Sequence, residues 1–353
     1  MPNSAPITDT HLWLRAELRP NEDRVGLTPD GAKTLIDQGF RITVEESRQR
    51  VIPIDAYQAV GCETAAEGSW PDAPTDAIIF GLKELPTSDA PIRHRHIMFG
   101  HAYKGQADGR QLLDRFKAGG GTLYDLEYLT DDTGRRVAAF GYWAGFAGAA
   151  VSALAWAAQQ AGTPCPSMHT HASADDLVAS VQTALAGAGP KAIIIGALGR
   201  VGTGATDLCN RVGIAVTKWD MAETAHGGPF PEILQHDIFL NCILASPKTP
   251  VFVQPDAITE TRALSVIGDI ACDPSSAFNP IKVYDRTTTW DDPVFRSCDD
   301  PLLDVTAIDN LPSMLPMESS EDYASQLLPH LSTLTDTSSG VWARAKAVFD
   351  EHV

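Results

Sequence analysis

Basic residues are scarce in this sequence. Its 353 residues include 27 lysines and arginines against 45 aspartates and glutamates, which gives a formal net charge of −18 at pH 7. A surface this acidic repels phosphate backbones and anionic lipid headgroups. We therefore expect neither nucleic acid nor a membrane surface as a partner, and small molecules remain the predicted ligands.

The sequence also lacks paired cysteines and a recognisable leader. Its six cysteines form no Cys-x-x-Cys motif and are typical of buried thiols in a reducing cytoplasm. The N-terminus shows no basic start followed by an apolar core, so no signal peptide is predicted. Residues 142–161 carry no charge, but their many alanines and glycines favour a buried helix over a transmembrane one. The prediction is a soluble, cytoplasmic protein.

Strand-like and helix-like segments alternate along the chain. The apolar segments 76–84 and 95–103 predict buried strands, and residues 106–120 predict a helix. Such alternation is typical of a parallel sheet that is covered on both faces. A second series of this kind begins at Lys191, whereas the proline-rich stretch 274–316 is predicted to be mostly loop.

The length and the two series together predict two domains, at roughly 150 residues per domain. The predicted fold class is α/β, with two Rossmann-like parallel-sheet domains flanking an inter-domain cleft. Residues 1–140, completed by 313–353, form a substrate-side domain, and residues 141–312 form a dinucleotide-binding domain. A cleft between two such domains is a common place for a ligand.

A glycine-rich segment, GALGRVGTG, follows an apolar strand at Gly196 and precedes a predicted helix. Glycines let the backbone approach a pyrophosphate, and the helix N-terminus favours the anion. The next strand ends at Asp220, 18 residues past Gly202, where an acid can bind the adenosine ribose hydroxyls. If Gly199 and Gly202 are the last two glycines of G-x-G-x-x-G, Ala197 replaces the first, and a plain helix-start turn is the alternative. The carboxylate of Asp220 favours NAD over NADP.

Charged residues end two apolar strands of the first half. Lys83 ends AIIFGLK, with Glu84 beside it, and His101 ends IMFGH. Desolvation lowers the pKa of a lysine from about 10.4 until its neutral amine can accept a proton. A histidine, with a pKa near 6.5, can donate or accept a proton at neutral pH. In the alternative interpretation, Lys83 extends to water and His101 is a structural histidine.

Several arginines are candidates for binding carboxylates. Arg15, Arg19 and Arg24 lie near the first predicted strand, and Arg135 and Arg136 precede the long uncharged helix. An arginine can bind a carboxylate through two parallel hydrogen bonds. Taken one at a time, each of them is better explained as an ordinary surface arginine.

Two segments resemble metal-ligand spacings, but neither predicts a metal. His94 and His96 share one face of a strand while His101 points to the other. The cysteine and two histidines within 165–171 lie in a loop that supplies no fourth ligand. The sequence has no G-x-S-x-G turn, so serine hydrolase chemistry has no support either.

Longer motifs point to a known family. The chain resembles the NAD-dependent, lysine-forming saccharopine dehydrogenases in the segments HLWLRAELRPNEDRVGLTP, IIFGLKE, GHAYKGQ, YDLEYL, GRRVAAFGYWAGFAGAA, GALGRVGTGA, KWDMAET and HGGPFPEI. The resemblance covers nearly the whole chain. More distantly, the chain is similar to alanine dehydrogenase and to the NAD-binding part of transhydrogenase, which share the two-domain plan.

The resemblance implies reversible oxidative cleavage of saccharopine to L-lysine and 2-oxoglutarate, with NAD as the cofactor. Lys83 would be the base for the secondary amine, and His101 the acid and base of imine hydrolysis. The implied substrate-binding residues are Arg24, Glu84, Lys104, Gln106, Arg136 and Phe140, with Glu84 and Lys104 also tuning the charge of the catalytic pair. The implied cofactor-binding residues are Arg135, Gly199, Arg200, Asp220, Thr224, Ile270, Ile308, Asp309, Asn310 and Leu311.

Other functions stay open from the sequence. One is an alanine dehydrogenase-like enzyme that acts on a shorter amino acid, and another is a non-catalytic NAD-sensing module. A structural or interaction protein is the third, although the intact motifs around Lys83, His101 and Arg136 argue for catalysis. The oligomeric state also stays open, a monomer included.

Overall fold

The computed structural model describes residues 10–104 and 107–353. The chain divides into two compact units, Met1–Ala139 with Pro316–Val353, and Phe140–Leu315. Each unit holds a six-stranded sheet with helices, and the parallel strands of both sheets confirm the predicted α/β class.

The helices and strands follow one another along the chain as follows. Up to residue 139 they are β1 (His11–Leu14), α1 (Pro29–Asp37), β2 (Arg41–Glu45), α2 (Ile54–Ala59), β3 (Glu63–Ala65), β4 (Ile78–Phe80), β5 (Arg95–Met98), α3 (Ala107–Gly119) and β6 (Thr122–Asp125). From residue 140 they are α4 (Gly141–Ala161), α5 (Ala174–Leu185), β7 (Lys191–Ile195), α6 (Arg200–Val212), β8 (Ala215–Trp219), α7 (Met221–Thr224), α8 (Pro231–Leu234), β9 (Ile238–Asn241), β10 (Val266–Asp269), β11 (Phe295–Asp299), β12 (Leu302–Thr306), α9 (Pro316–Leu331) and α10 (Gly340–His352).

The sheet of the first unit is parallel throughout, in the order β3-β2-β1-β4-β5-β6. This is the order of doubly wound dinucleotide-type folds, and it reverses direction between β1 and β4. At that point the chain leads from β1 to β2 on one side of the sheet and from β4 to β5 on the other side. Ligands of open α/β sheets bind at such a reversal, outside the carboxyl ends of the strands.

The sheet of the second unit has the order β11-β12-β10-β9-β7-β8, with β11 antiparallel to β12 and the other strands parallel. Its order reverses between β7 and β9. An apolar core packs α4, α5 and α6 against one face of this sheet, and a second apolar cluster covers the other face.

The uncharged segment of the sequence forms α4, which packs closely against α6. A Cβ atom at Gly145 would lie 1.8 Å from the carbonyl oxygen of Val201, and one at Gly204 would lie 1.9 Å from that of Tyr142. Glycine is therefore needed at both positions for the two helices to approach. None of the helices in the described part of the chain has both the length and the apolar character that a membrane crossing requires.

The prediction that residues 274–316 are mostly loop is wrong for 295–306, which form β11 and β12. The sequence of β11, FRSCD, is polar, and its pairing shifts register between Arg296 and Cys298. An edge strand with one paired side needs no alternating apolar pattern, so the hydrophobic signal that marks the central strands is missing here.

Candidate active site

Lys83 and His101 follow neighbouring strands at the carboxyl edge of the first sheet. β4 ends at Phe80 and pairs in parallel with β5, which ends at Met98. Both residues therefore lie in loops just beyond the strands rather than within them. His101 adopts a backbone φ of 49°, in the left-handed region that is uncommon for residues other than glycine.

Glu84 joins these two loops. Its carboxylate lies 3.5 Å from Nδ1 of His101 and 3.9 Å from the guanidinium of Arg19. The interaction with Glu84 raises the pKa of His101 above 6.5, although burial and the charge of Lys83 act in the opposite direction. The same interaction with His101 lowers the pKa of Glu84 to about 2. Glu84 thus stays ionised, and its charge favours protonation of His101.

A second carboxylate, Glu127, gathers two of the predicted cations. Its Oε1 accepts a hydrogen bond of 2.8 Å from Nζ of Lys104 and lies 3.9 Å from Nη2 of Arg136. Burial raises the pKa of Glu127, but Lys104 and Arg136 lower it by more, so the group is held as a carboxylate. Glu127 was not among the predicted residues; its position just after β6, inside YDLEYL, is the signal that could have found it.

Asp125, at the end of β6, is a further functional candidate that the sequence reasoning missed. Its carboxylate accepts the backbone N–H of Gly100 at 3.2 Å and that of Glu127 at 2.9 Å. Burial raises the pKa of Asp125 to about 6 against these two hydrogen bonds. The residue fixes the peptide before His101 and the loop that carries Glu127.

The other predicted substrate-side residues occupy different settings. Arg24 is buried, and its Nε and Nη2 donate to the two carboxylate oxygens of Glu22 at 2.7 and 2.6 Å. A surface position is therefore wrong for Arg24. Gln106 lies outside the described residues, and Phe140 belongs to the second unit, where it is the N-cap of α4. Arg135 is exposed, and its backbone N–H donates to Asp131 at 3.0 Å.

The glycine-rich turn of the second unit links β7 to α6. Gly196 has φ 86°, and Gly199 is the N-cap of α6. A Cβ atom at Gly202 would lie 2.2 Å from the carbonyl oxygen of Gly196. Only glycine lets the helix start this close to the turn, which leaves the backbone N–H groups of its first turn at the carboxyl edge of the sheet.

Asp220 follows β8, at the place expected for a ribose-binding acid. Its Oδ2 accepts the backbone N–H of Leu198 at 3.0 Å, and its Oδ1 accepts that of Met221 at 2.9 Å. The acid thereby ties the glycine-rich turn to the start of α7. A carboxylate oxygen can accept more than one hydrogen bond, so these contacts are compatible with hydroxyl donors of a ribose.

The remaining cofactor-side predictions also fall in loops or helix starts at the carboxyl edge of this sheet. Thr224 donates its hydroxyl to the carbonyl oxygen of Asp220 at 3.1 Å. Ile270 follows β10 directly, and its side chain packs on Gly148 of α4. The others are Arg200 at the first position of α6 and Ile308, Asp309, Asn310 and Leu311 after β12.

Exposed apolar side chains mark the same edge. Leu198 and Leu244 lie in the loops after β7 and β9, Met221 is the first residue of α7 after β8, and the three side chains are 80%, 82% and 82% exposed in the order Leu198, Leu244, Met221. Flat aromatic ring systems are covered by side chains of this kind, and a helix N-terminus suits a pyrophosphate. The residues of this edge therefore fit a dinucleotide. Among the described residues, no cluster of histidine, cysteine, aspartate or glutamate is placed to hold a metal ion.

Two family models match the chain: Alanine dehydrogenase/PNT, N-terminal domain, over residues 13–147, and Alanine dehydrogenase/PNT, C-terminal domain, over residues 231–352. A solved L-alanine dehydrogenase has a TM-score of 0.70 at 15% identity, over 98% of this chain and 100% of that one. A transhydrogenase from Sinorhizobium meliloti has a TM-score of 0.63 at 18% identity, over 92% and 94%. These two structures share the fold.

Curated relatives are much closer in sequence. The saccharopine dehydrogenase (NAD(+), L-lysine-forming) of Candida albicans is 46% identical over 369 aligned positions, with 97% of each chain covered. The enzymes of the same name from Schizosaccharomyces pombe and Emericella nidulans are 46% and 47% identical, over 97% of this chain and 98% and 97% of theirs. The chain belongs to the family of NAD-dependent, L-lysine-forming saccharopine dehydrogenases.

Proposed function

We propose that this protein catalyses the reversible oxidation of saccharopine to L-lysine and 2-oxoglutarate, with Lys83 and His101 as its acid–base residues. The observation that carries the proposal is the placement of Lys83, Glu84 and His101 on adjacent strand ends, where open α/β sheets bind ligands. The names of the relatives supply the substrate. NAD is the cofactor, in keeping with the glycine-rich turn and with Asp220.

Lys83 accepts a proton from the secondary amine of saccharopine, which leaves a lone pair on nitrogen to assist oxidation of the glutamyl α-carbon. NAD, when bound, supplies the acceptor for the hydride from that carbon. The resulting imine must then be hydrolysed. His101 accepts a proton from the water molecule that adds to the imine carbon. It then donates a proton to the nitrogen of the departing L-lysine product as the carbinolamine collapses to the ketone of 2-oxoglutarate.

Two carboxylates interact electrostatically with Lys83. Burial raises the pKa of Glu22, while Arg24 and, to a smaller extent, Lys83 lower it. Lys83 also contributes, after His101, to the low pKa of Glu84. Lys83 therefore lies within electrostatic range of Glu22, Glu84 and His101.

The three carboxylates of saccharopine need local cations, because the chain as a whole carries −18. Arg136 and Lys104 are partly exposed and share Glu127, so a substrate carboxylate can replace or join that partner. Arg24 would contribute as part of its ion pair with Glu22. We assign Arg136 to the 2-oxoglutarate moiety.

The initial rate of NADH oxidation tests the proposal, measured with 2-oxoglutarate plus L-lysine and, separately, with pyruvate plus ammonia. A rate in the first mixture alone is the expected result. A rate in the second mixture alone would assign a shorter amino acid, as in alanine dehydrogenase. Tight NADH binding with no turnover in either mixture would favour a sensing module and contradict catalysis.

We also propose a cytoplasmic location. All six cysteines are free thiols. Burial raises the pKa of Cys62 to about 11 and the pKa of Cys209 to about 12, which keeps both as inert thiols. Fractionation of the source cells, followed by immunoblotting, should place the protein with cytoplasmic markers; recovery in an organelle would contradict this assignment.

A further inference from the structure

The backbone of Lys83 is held by a buried ion pair from the segment that follows β1. The carboxylate of Glu17 accepts the N–H of Leu82 through Oε1 at 2.7 Å and the N–H of Lys83 through Oε2 at 3.0 Å. Nη1 of Arg15 lies 3.3 Å from Oε2 of Glu17, and Nη2 of Arg15 donates to the carbonyl oxygen of Lys83. Both peptide groups of Lys83 are therefore fixed by side chains.

The side-chain contacts of Arg15 and Glu17 begin where the backbone hydrogen bonds between the strands end. The N–H of Arg15 still bonds to the carbonyl oxygen of Phe80 at 2.9 Å, and the N–H of Phe99 bonds to that of Leu82 at 2.9 Å. Beyond this point, β1 and β4 flank the reversal of strand order and their loops separate. There the side chains of Arg15 and Glu17 hydrogen-bond to the backbone of Lys83.

The pair is buried almost completely, with side chains 2% and 7% exposed. Burying two charges costs several kcal/mol of desolvation per ion, and a well-packed apolar pair is often as stable. Stability alone therefore does not explain a buried arginine and glutamate here. The pair does provide a rigid geometry, because the guanidinium is planar and the carboxylate accepts two neighbouring N–H groups.

Gly81 makes room for this arrangement. A Cβ atom at Gly81 would lie 2.3 Å from Nε and 2.5 Å from Cζ of Arg15. The guanidinium lies directly against the Gly81 backbone, where it is bonded to Glu17 and Lys83. This accounts for the glycine two residues before Lys83 in the FGLK segment.

We propose that Arg15 and Glu17 form a clamp that positions Lys83, so that its amine is aimed at the reacting nitrogen of the substrate. The clamp rests on the proposed role of Lys83. Arg15 and Glu17 are positioning residues and act through Lys83 alone. A displacement of about 1 Å at a catalytic group can cost about 100-fold in rate. Loosening the clamp should therefore lower kcat and leave ligand binding largely unchanged.

The first test is Glu17→Gln, whose amide replaces one acceptor oxygen by a donor facing a backbone N–H. We expect kcat, per folded enzyme, to fall about 10- to 100-fold, with KM for 2-oxoglutarate and Kd for NADH within about twofold. The matched control is Asp304→Asn, which weakens a buried carboxylate's bonds to Arg296 and Gln159 in the second unit. It should lower the thermal midpoint and leave kcat unchanged.

Gly81→Ala is the second variant, because it keeps every charge and displaces only the guanidinium of Arg15. It should reproduce the loss of kcat, and it serves if Glu17→Gln fails to fold. Wild-type kcat in a folded Glu17→Gln or Gly81→Ala enzyme would overturn the clamp. So would a loss that Asp304→Asn shares.

A double-mutant cycle separates the clamp from the role of Lys83 itself. If Glu17 acts through Lys83, adding Glu17→Gln to Lys83→Met should change the residual single-turnover rate by less than about twofold. A full additive loss in that background would overturn the clamp while leaving the function of Lys83 intact. Near-wild-type turnover of Lys83→Met alone would instead remove the proposed function.

Discussion

Glu84 and His101 form an ion pair with 3.5 Å between Oε1 and Nδ1, and this pair connects the loops that follow β4 and β5. Both side chains are about two-fifths exposed, so the contact contributes little to stability. Its effect is on protonation. Glu84 outweighs the burial and the Lys83 charge that act to lower the pKa of His101.

Glu84→Gln should therefore lower the pKa of His101, because the opposing effects of burial and Lys83 remain when the carboxylate charge is gone. At a fixed neutral pH the protonated fraction of His101 then falls. NMR titration of the His101 ring measures this directly. Glu67→Gln, which removes a surface partner of Arg48, should leave the titration where it was. A titration of His101 unmoved by Glu84→Gln would contradict the coupling.

Lys83→Met should abolish most turnover near neutral pH, because no other amine follows β4 to accept the substrate proton. The affinity for NADH should stay close to normal, since the glycine-rich turn and Asp220 belong to the other unit. Steady-state rates and NADH fluorescence titration check the two halves of this prediction. Lys33→Met, at an exposed lysine paired with Asp37 on α1, is the control and should be silent.

The sequence was sufficient to predict the elements that depend on local pattern. The apolar segments 76–84 and 95–103 located β4 and β5, and the glycine-rich turn located the start of α6. The strands are shorter than their apolar segments because the hydrogen bonds between adjacent strands end where the backbones of those strands separate. Lys83 and His101 consequently lie in loops, which the run of hydrophobicity does not reveal.

Contacts between distant segments could not be predicted in the same way. The burial of Arg15 depends on an acceptor at Lys83, 68 positions along the chain, so its sequence context matches that of a surface arginine. The prediction of a surface position is wrong for Arg15 for this reason. By contrast, α5 carried a readable signal that was missed: Ser173 caps it by accepting the N–H of Asp176.

Arg136→Ala should raise KM for 2-oxoglutarate by about 10-fold, the effect of losing one charge-assisted hydrogen bond at a partly exposed site. The change in kcat should be small, because Arg136 binds and does not transfer protons. Initial rates over a range of 2-oxoglutarate concentrations give both constants. Arg110→Ala, on the exposed face of α3 beside Asp114, is the control. An unchanged KM would return Arg136 to a purely structural pairing with Glu127.

Asp220→Asn should weaken NADH binding by about 10-fold while leaving NADPH binding unchanged or slightly improved, because the charge that repels a 2′-phosphate is lost. The amide oxygen can still accept one backbone N–H, so the turn at Leu198 should persist. Fluorescence titration with both nucleotides measures the ratio of dissociation constants. Asp256→Asn, at an exposed position of the same unit, should leave that ratio alone. An unaltered ratio in Asp220→Asn would place the ribose elsewhere.

His96 makes a prediction about stability that is independent of the active site. It is fully buried between the rings of Trp70 and Phe116, at centroid distances of 4.9 and 5.5 Å. Neither ring nitrogen has a hydrogen-bond partner among the residues that the structure describes. Burial lowers the pKa of His96 well below 6.5. Below pH 6.5 the unfolded chain therefore binds a proton that the folded chain does not, and stability falls as the pH falls.

His96→Leu removes both the unpaired ring nitrogens and this proton uptake. The variant should be more stable than the wild type by about 1 kcal/mol at pH 7.5, a shift of about 2–4 °C in the midpoint of thermal unfolding. The advantage should grow at pH 5.5, because only the wild type is destabilised by protonation of its unfolded state. His226→Gln, at an exposed histidine, controls for histidine content and should show neither effect. A gain that is the same at both pH values would mean that His96 is protonated equally in the folded and unfolded chain, contrary to its complete burial.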